Sequence, residues 1–177
     1  LAGDTLLTAA FETLSGSPGT AVQNTAAVCA LSRAAGANGM VWGQELDLTF
    51  EEKPATAEEL REVHRNKTGM LINAAAQLGA VAASADDIAR YAFSVGLVFQ
   101  IIDDILDVTA TAQQLGKPIG SDAANGKTTF VTLHGVERSR GIAQELTDGA
   151  CGVLRAAFGG RAQFLETLAA SLLERNQ

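Results

Sequence analysis

The chain has 177 residues, enough for one domain with a sizeable core. A net charge of −7 and a pI near 4.8 argue against nucleic acid as the principal partner. Strand signals are nearly absent: aromatic residues make up 5% of the chain, and no β-branched run alternates cleanly. The class this leaves is all-α.

Helical patterns are predicted, in chain order, over residues 4–14, 20–35, 36–47, 57–82 and 86–108, then near 128–137, 138–158 and 163–175. Breaks fall at Ser17-Pro18-Gly19, at Lys53-Pro54 and between Gly116 and Gly126. Thr56-x-x-Glu59 reads as a capping box, and Ser84-x-x-Asp87 as a less standard start signal. Glycine and alanine are abundant on these helices, which lets backbones approach closely around a cleft. No internal repeat, low-complexity tract or domain boundary interrupts the pattern, so residues 1–177 are read as part of one domain. Cys29 and Cys151 have neither CxxC nor metal-ligand spacing and are expected to be reduced core residues of a cytoplasmic protein. No segment makes a convincing membrane span, and Leu1-Ala2-Gly3-Asp4 carries no secretory signal. Those first residues also lack a methionine, so the sequence is expected to begin inside a larger protein.

Chemistry concentrates in Phe99-Gln100-Ile101-Ile102-Asp103-Asp104-Ile105-Leu106-Asp107. Wound at about 100° per residue, Gly96, Gln100, Asp103, Asp104 and Asp107 share a sector of roughly a third of a turn. Val98, Phe99, Ile101, Ile102, Ile105 and Leu106 cover the opposite side. Asp103 and Asp107 lie four apart, about 5–6 Å between Cβ atoms. Two charges at that range repel by about 3 kcal/mol at an effective dielectric of 20, so the group raises a pKa or recruits a cation. Clustered oxygen ligands without His or Cys suit Mg²⁺ before Zn²⁺. One helical turn cannot enclose Mg²⁺, which ordinarily shares its coordination with substrate phosphates. A phosphorylated ligand held through metal is therefore expected.

Lysines supply the complementary charge. Lys117 in Leu115-Gly116-Lys117-Pro118 and Lys127 in Gly126-Lys127-Thr128-Thr129 follow the acidic helix in loop-like sequence, and Lys67-Thr68-Gly69 stands upstream within a helical run. Gly126-Lys127-Thr128 lacks the leading glycine and preceding strand of a nucleotide-binding P-loop, which excludes that reading.

Taken together these motifs resemble the trans-isoprenyl diphosphate synthases, most closely the bacterial farnesyl diphosphate synthase group. Phe99-Gln100-x-x-Asp103-Asp104-Ile105-Leu106-Asp107 is similar to the family's second aspartate-rich motif. In the family's order stand Ala2-Gly3-Asp4-x-Leu6-Leu7-x-x-Ala10-Phe11, Gly43-Gln44-x-x-Asp47-Leu48, His64-x-x-Lys67-Thr68-Gly69, Leu78-Gly79-Ala80, Leu115-Gly116-Lys117-Pro118, Asp122, Gly126-Lys127-Thr128-Thr129 and the Arg175-Asn176 ending.

The resemblance implies a large helical bundle, usually paired as a homodimer, with two facing aspartate-rich helices in a central cavity. It implies Mg²⁺-dependent head-to-tail condensation of isopentenyl diphosphate with an allylic diphosphate. Farnesyl diphosphate is the expected product; a geranylgeranyl diphosphate synthase or a non-catalytic partner subunit are the alternatives. By the same resemblance Asp103, Asp104 and Asp107 serve the metal, while Lys67, Thr68, Gln100, Lys117 and Lys127 grip the allylic diphosphate or face the carbocation. Gln44 and Asp47 would line the cavity behind them, and His64 would pack or hydrogen-bond near Lys67 rather than act as a base. The family's first aspartate-rich motif and its following arginines have no counterpart in these residues, so residues 1–177 are expected to be the C-terminal portion of a single synthase domain, a partial bundle lacking its N-terminal helices. The chain by itself is therefore expected to be inactive and to associate with itself through apolar surface.

Overall fold

A computed structural model of the chain describes residues 1–51, 53–79, 85–109 and 127–175. Among these there are helices and connections and no strand. The helices are α1 (Ala2–Ser15), α2 (Ala21–Ala35), α3 (Met40–Thr49), α4 (Ala57–His64), α5 (Met70–Gly79), α6 (Ala85–Thr109), α7 (Phe130–His134), α8 (Val136–Phe158) and α9 (Gln163–Glu174). A π-helical turn, Arg65–Gly69, joins α4 to α5, and a 3₁₀ turn, Gly159–Ala162, joins α8 to α9. No helix among the described residues is long and apolar enough to cross a membrane.

The spine is α6. Its early apolar residues Ile88, Tyr91 and Val95 pack with Ala150, Cys151 and Leu154 of α8 and Ala169 of α9. Its later ones, Val98, Ile101, Ile102 and Ile105, pack with Leu60 of α4, Phe130 of α7 and Ala143 of α8. Ile101, Ile102 and Ile105 are buried essentially completely, and each such side chain contributes about 1.5–3 kcal/mol relative to exposure. Burial also drives the Tyr91 phenol up to about 12, and its hydroxyl donates to the Leu165 carbonyl at 2.8 Å.

Helix starts follow local chemistry. At α4 the predicted capping box is present: Thr56 N–H donates to Glu59 Oε2 (2.8 Å) and Glu59 N–H to Thr56 Oγ1 (3.2 Å). Thr20 with Gln23 and Thr129 with Thr132 cap α2 and α7 in the same way. The other predicted start signal includes Ser84, which lies outside the described residues, as do Ala80, Gly116 and most of the predicted break that follows α6.

Several boundaries differ from the sequence expectation. The helix predicted from Gly36 starts at Met40, because residues 36–39 form a turn in which Gly39 closes on the Ala34 carbonyl. The segment predicted as one helix over 128–137 is two, divided at Gly135, whose φ of 77° suits a residue without Cβ. The run predicted from 57 to 82 is interrupted by the π turn. Cys151 is buried as expected, but Cys29 is exposed, on a helix with few buried residues; both are free thiols.

The π turn is fitted by glycines on either side. A Cβ built on Gly43 of α3 would lie 2.5 Å from Lys67 Cα and 2.7 Å from the Asn66 carbonyl carbon, so α3 runs directly against the turn. A Cβ on Gly96 of α6 would meet Gly69 Cα at 3.0 Å. Beside this junction His64, 6% exposed, stacks on Phe130 with ring centroids 5.7 Å apart and planes inclined 22°. Burial lowers its pKa to about 4.

Two predictions follow from this packing. Gly43→Ala should destabilise the protein by about 1–3 kcal/mol in chemical denaturation, because the clash is with backbone rather than with a yielding side chain. For His64 the unfolded state binds a proton between pH 6.5 and about 4 that the folded state refuses. Its contribution, on the order of 3 kcal/mol, is present above pH 6.5 and lost as pH falls through that window. His64→Phe, which keeps a ring against Phe130, should flatten that part of the stability–pH curve; an unchanged difference in slope would remove His64 as its source.

A candidate diphosphate cleft between the pi turn and the acidic helix

Between α3, the π turn and the second half of α6 lies a cleft of about 440 Å³. It is lined by Asp47 of α3, Val63 and His64 at the end of α4, Lys67 of the π turn, and Gln100, Asp103, Asp104 and Leu106 of α6; Lys127, Thr128 and Arg175 complete it. A π turn holds one more residue than an α turn, which re-aims side chains, and such turns recur at functional sites. Here it turns Lys67 toward α3.

On one wall two lysines share one carboxylate. Lys67 Nζ lies 2.5 Å from Asp47 Oδ2 and Lys127 Nζ 2.9 Å from Asp47 Oδ1. The Asp47 side chain is only 9% exposed, against 32% and 29% for the lysines. Burial pushes the Asp47 carboxyl up, but the hydrogen bonds and positive charge of Lys67 and Lys127 outweigh it and hold the group below the usual carboxylate range. His64, neutral at pH 7, adds no charge beside them. Its Nδ1 is buried without a hydrogen-bond partner among the described residues, and the ring packs against Phe130.

Opposite stands the acidic face of α6, with Gln100, Asp103 and Asp104 on the cleft lining. Asp104 Oδ2 accepts the Phe130 N–H at 2.7 Å, so one oxygen ties α6 to the start of α7. Asp103 is 44% exposed, with Arg175 Nη1 at 3.7 Å, a long and partly solvated ion pair worth little by itself. The Arg175 guanidinium also lies over the Phe99 ring, 5.0 Å from its centroid. Among the described residues no three His, Cys, Asp or Glu side chains converge to hold a metal alone. A hard ion that takes part of its shell from phosphate and water needs only one or two carboxylates, and the donor set of Asp103 and Asp104 fits that type.

Residues 127–130 clasp the cleft shut at one end. Lys127 reaches Asp47, Thr128 Oγ1 accepts the Ala55 N–H at 3.0 Å, Thr129 caps α7, and Phe130 bonds Asp104.

The sequence-predicted residues therefore divide. Lys67, Gln100, Asp103, Asp104 and Lys127 meet in one cleft with Asp47. Thr68 is half-buried and Asp107 is buried at 2% exposure, neither of them part of the described lining, and Gln44 is exposed on α3. Lys117 and Asp122 lie outside the described residues. The joint role of Asp47 was not readable from sequence, since its partners stand 20 and 80 residues away. The approach of Arg175 was equally hidden; a C-terminal arginine gives no positional signal.

The chain is similar to known proteins in sequence and in fold. Residues 1–151 fit the family model "Polyprenyl synthetase". The chain is 39% identical to the farnesyl diphosphate synthase of Escherichia coli K12 over all of its own length and 63% of that protein. It is 38% identical to the chloroplastic geranylgeranyl pyrophosphate synthase 7 of Arabidopsis thaliana over 99% of the chain and 53% of that protein. Among solved structures, a geranyltransferase from Helicobacter pylori complexed with magnesium and isoprenyl diphosphate superposes with a TM-score of 0.80 at 32% identity, over 97% of this chain and 58% of that one. The chain thus spans between about half and three fifths of these relatives. With a family model covering most of its residues and an all-α fold shared with the solved synthases, the chain belongs to the polyprenyl synthetase family.

Proposed function

We propose that the protein is a prenyltransferase that condenses isopentenyl diphosphate head-to-tail with an allylic diphosphate to give a short-chain isoprenyl diphosphate. Farnesyl diphosphate is the favoured product and geranylgeranyl diphosphate the alternative. The observation that carries this reading is the meeting, in one cleft, of the lysine pair Lys67 and Lys127 with the carboxylates Asp103 and Asp104 on the facing wall.

In this reading the lysines act as point charges on the allylic diphosphate, with Lys117 a third from the segment before Lys127. Asp103 and Asp104, with Asp107 behind them, would hold Mg²⁺, which when bound supplies positive charge to the diphosphate oxygens. As the allylic C–O bond breaks, negative charge grows on the departing diphosphate, and fixed ammonium groups stabilise it more than they stabilise the bound substrate. Gln100 is on the same lining, and its amide oxygen is suited to face the allylic cation; Thr68 is given that task on its sequence match alone. Val63 and Leu106 provide apolar wall that keeps water from quenching the cation. The double bond of isopentenyl diphosphate attacks that cation, and a proton is then lost to the released diphosphate. No protein nucleophile is required, in keeping with a buried His64 that stays neutral at working pH.

A cytoplasmic homodimer is the accompanying proposal. It is supported by the outer surface of α1 and α2, where α1 buries none of its residues and Leu6 and Val22 are 72% and 80% exposed.

Asp103→Ala in the full-length protein, assayed with isopentenyl and dimethylallyl diphosphates and Mg²⁺, should lower kcat by about 10²-fold or more while circular dichroism and Tm stay near wild type. Turnover within a few-fold of wild type would take Asp103 out of the metal role. Val22→Glu should shift the full-length protein toward monomer in sedimentation equilibrium; an unchanged dimer would place the interface elsewhere.

A further inference from the structure

The two lysines assigned to the diphosphate both bind an anion that belongs to the protein, the Asp47 carboxylate. Lys67 donates to Asp47 Oδ2, and Lys127 lies 2.9 Å from Oδ1 and donates to Oδ2 at 3.2 Å, so one carboxylate serves both cations as a phosphoryl group would. The three groups come from α3, the π turn and the segment ahead of α7, and Gly43, one turn before Asp47, lets α3 come close enough for the contact. Without Asp47 two half-buried ammonium groups would face one another with no anion between them. With it, that corner of the cleft carries one net positive charge instead of two.

We propose that Asp47 is an internal competitor of the diphosphate: its carboxylate binds Lys67 and Lys127 and competes with ligand oxygens for them. The inference rests on the reading that these lysines bind diphosphate, and it goes beyond that reading by assigning the protein its own competitor. A lysine ammonium has three donors, so each can turn toward a phosphate oxygen without leaving its place on the wall. A diphosphate brings more anionic oxygens than one carboxylate and wins the lysines. After reaction Asp47 takes them back, which weakens the hold on released diphosphate and assists its departure. Asp47 touches no reacting atom and is a positioning residue. A residue that merely braced the lysines would strengthen anion binding; a competitor weakens it.

The test is Asp47→Asn in the full-length protein, titrated calorimetrically with inorganic pyrophosphate in Mg²⁺ buffer. Asparagine keeps the shape but replaces one acceptor oxygen with a donor and removes the charge. Pyrophosphate should bind about tenfold more tightly than to wild type, the scale of one charged hydrogen bond released from competition. KM for the allylic diphosphate should fall and kcat should fall further, as release slows. In Asp47→Asn/Lys127→Gln the affinity should return to within about twofold of wild type, because one competitor and one ligand are removed together. Equal or weaker pyrophosphate binding by Asp47→Asn overturns the proposal. Should that variant not fold, a crystal structure of the wild-type protein with pyrophosphate decides: both lysines turned to phosphate oxygens supports it, and both still directed only at Asp47 overturns it. If Lys67→Gln and Lys127→Gln each bind pyrophosphate as wild type does, the functional reading falls and this inference with it; failure confined to Asp47→Asn leaves the functional reading standing.

Discussion

Two positive charges on one buried carboxylate are the interaction around which this structure is arranged. Asp47 is kept ionised at 9% side-chain exposure by the charge and hydrogen bonds of Lys67 and Lys127, which meet at its carboxylate on the cleft wall. Removing one partner from a buried charge pair costs about 3–5 kcal/mol, far more than an exposed pair is worth. The geometry around the triad is correspondingly tight: a helix running against a π turn through Gly43, and a clasp in which four successive residues, Lys127 to Phe130, each bind a different part of the frame or cap the next helix.

Charge in the cleft is separated by wall. The ammonium groups of Lys67 and Lys127 gather at Asp47 of α3, while Asp103 and Asp104 stand on α6; neutral His64 and Gln100 share the lining. A diphosphate is a ligand of many oxygens that demands cations from both directions. One side supplies them directly, and the other would supply them through a metal. On α6 each cleft carboxylate has a partner: Asp104 accepts the Phe130 N–H, and Asp103 faces Arg175. Arg175 is in turn laid over Phe99, so the end of α9 shares in shaping the mouth of the cleft.

Much of the architecture was legible locally. The apolar side of α6 is the side that is buried, because a helix of period 3.6 places Ile101, Ile102 and Ile105 together whatever surrounds it. Thr56 and Glu59 form their box because both partners lie within one turn. The misread boundaries are places where a distant element decides. The helix after Thr56 becomes a π turn at Arg65–Gly69, where the glycines of α3 and α6 press against it, and nothing in Arg65-Asn66-Lys67-Thr68-Gly69 announces an extra residue per turn. Asp107 belongs to the acidic sector by angle, yet it is buried; the sector is wider than the mouth of the cleft, and angle alone cannot say where lining ends and packing begins.

By itself, then, the sequence determined the helical class, the position of the spine, the kinds of group that gather for a phosphorylated ligand, and through its motifs the family. Those properties depend on residue type and short-range spacing, which a linear chain carries in full. Tertiary structure alone decided which lysines share an anion, which aspartate turns inward, and that Arg175 reaches Asp103. These are contacts across 20, 80 and 72 residues, fixed by how closely helices pack and by where a glycine permits it, and no local pattern encodes them.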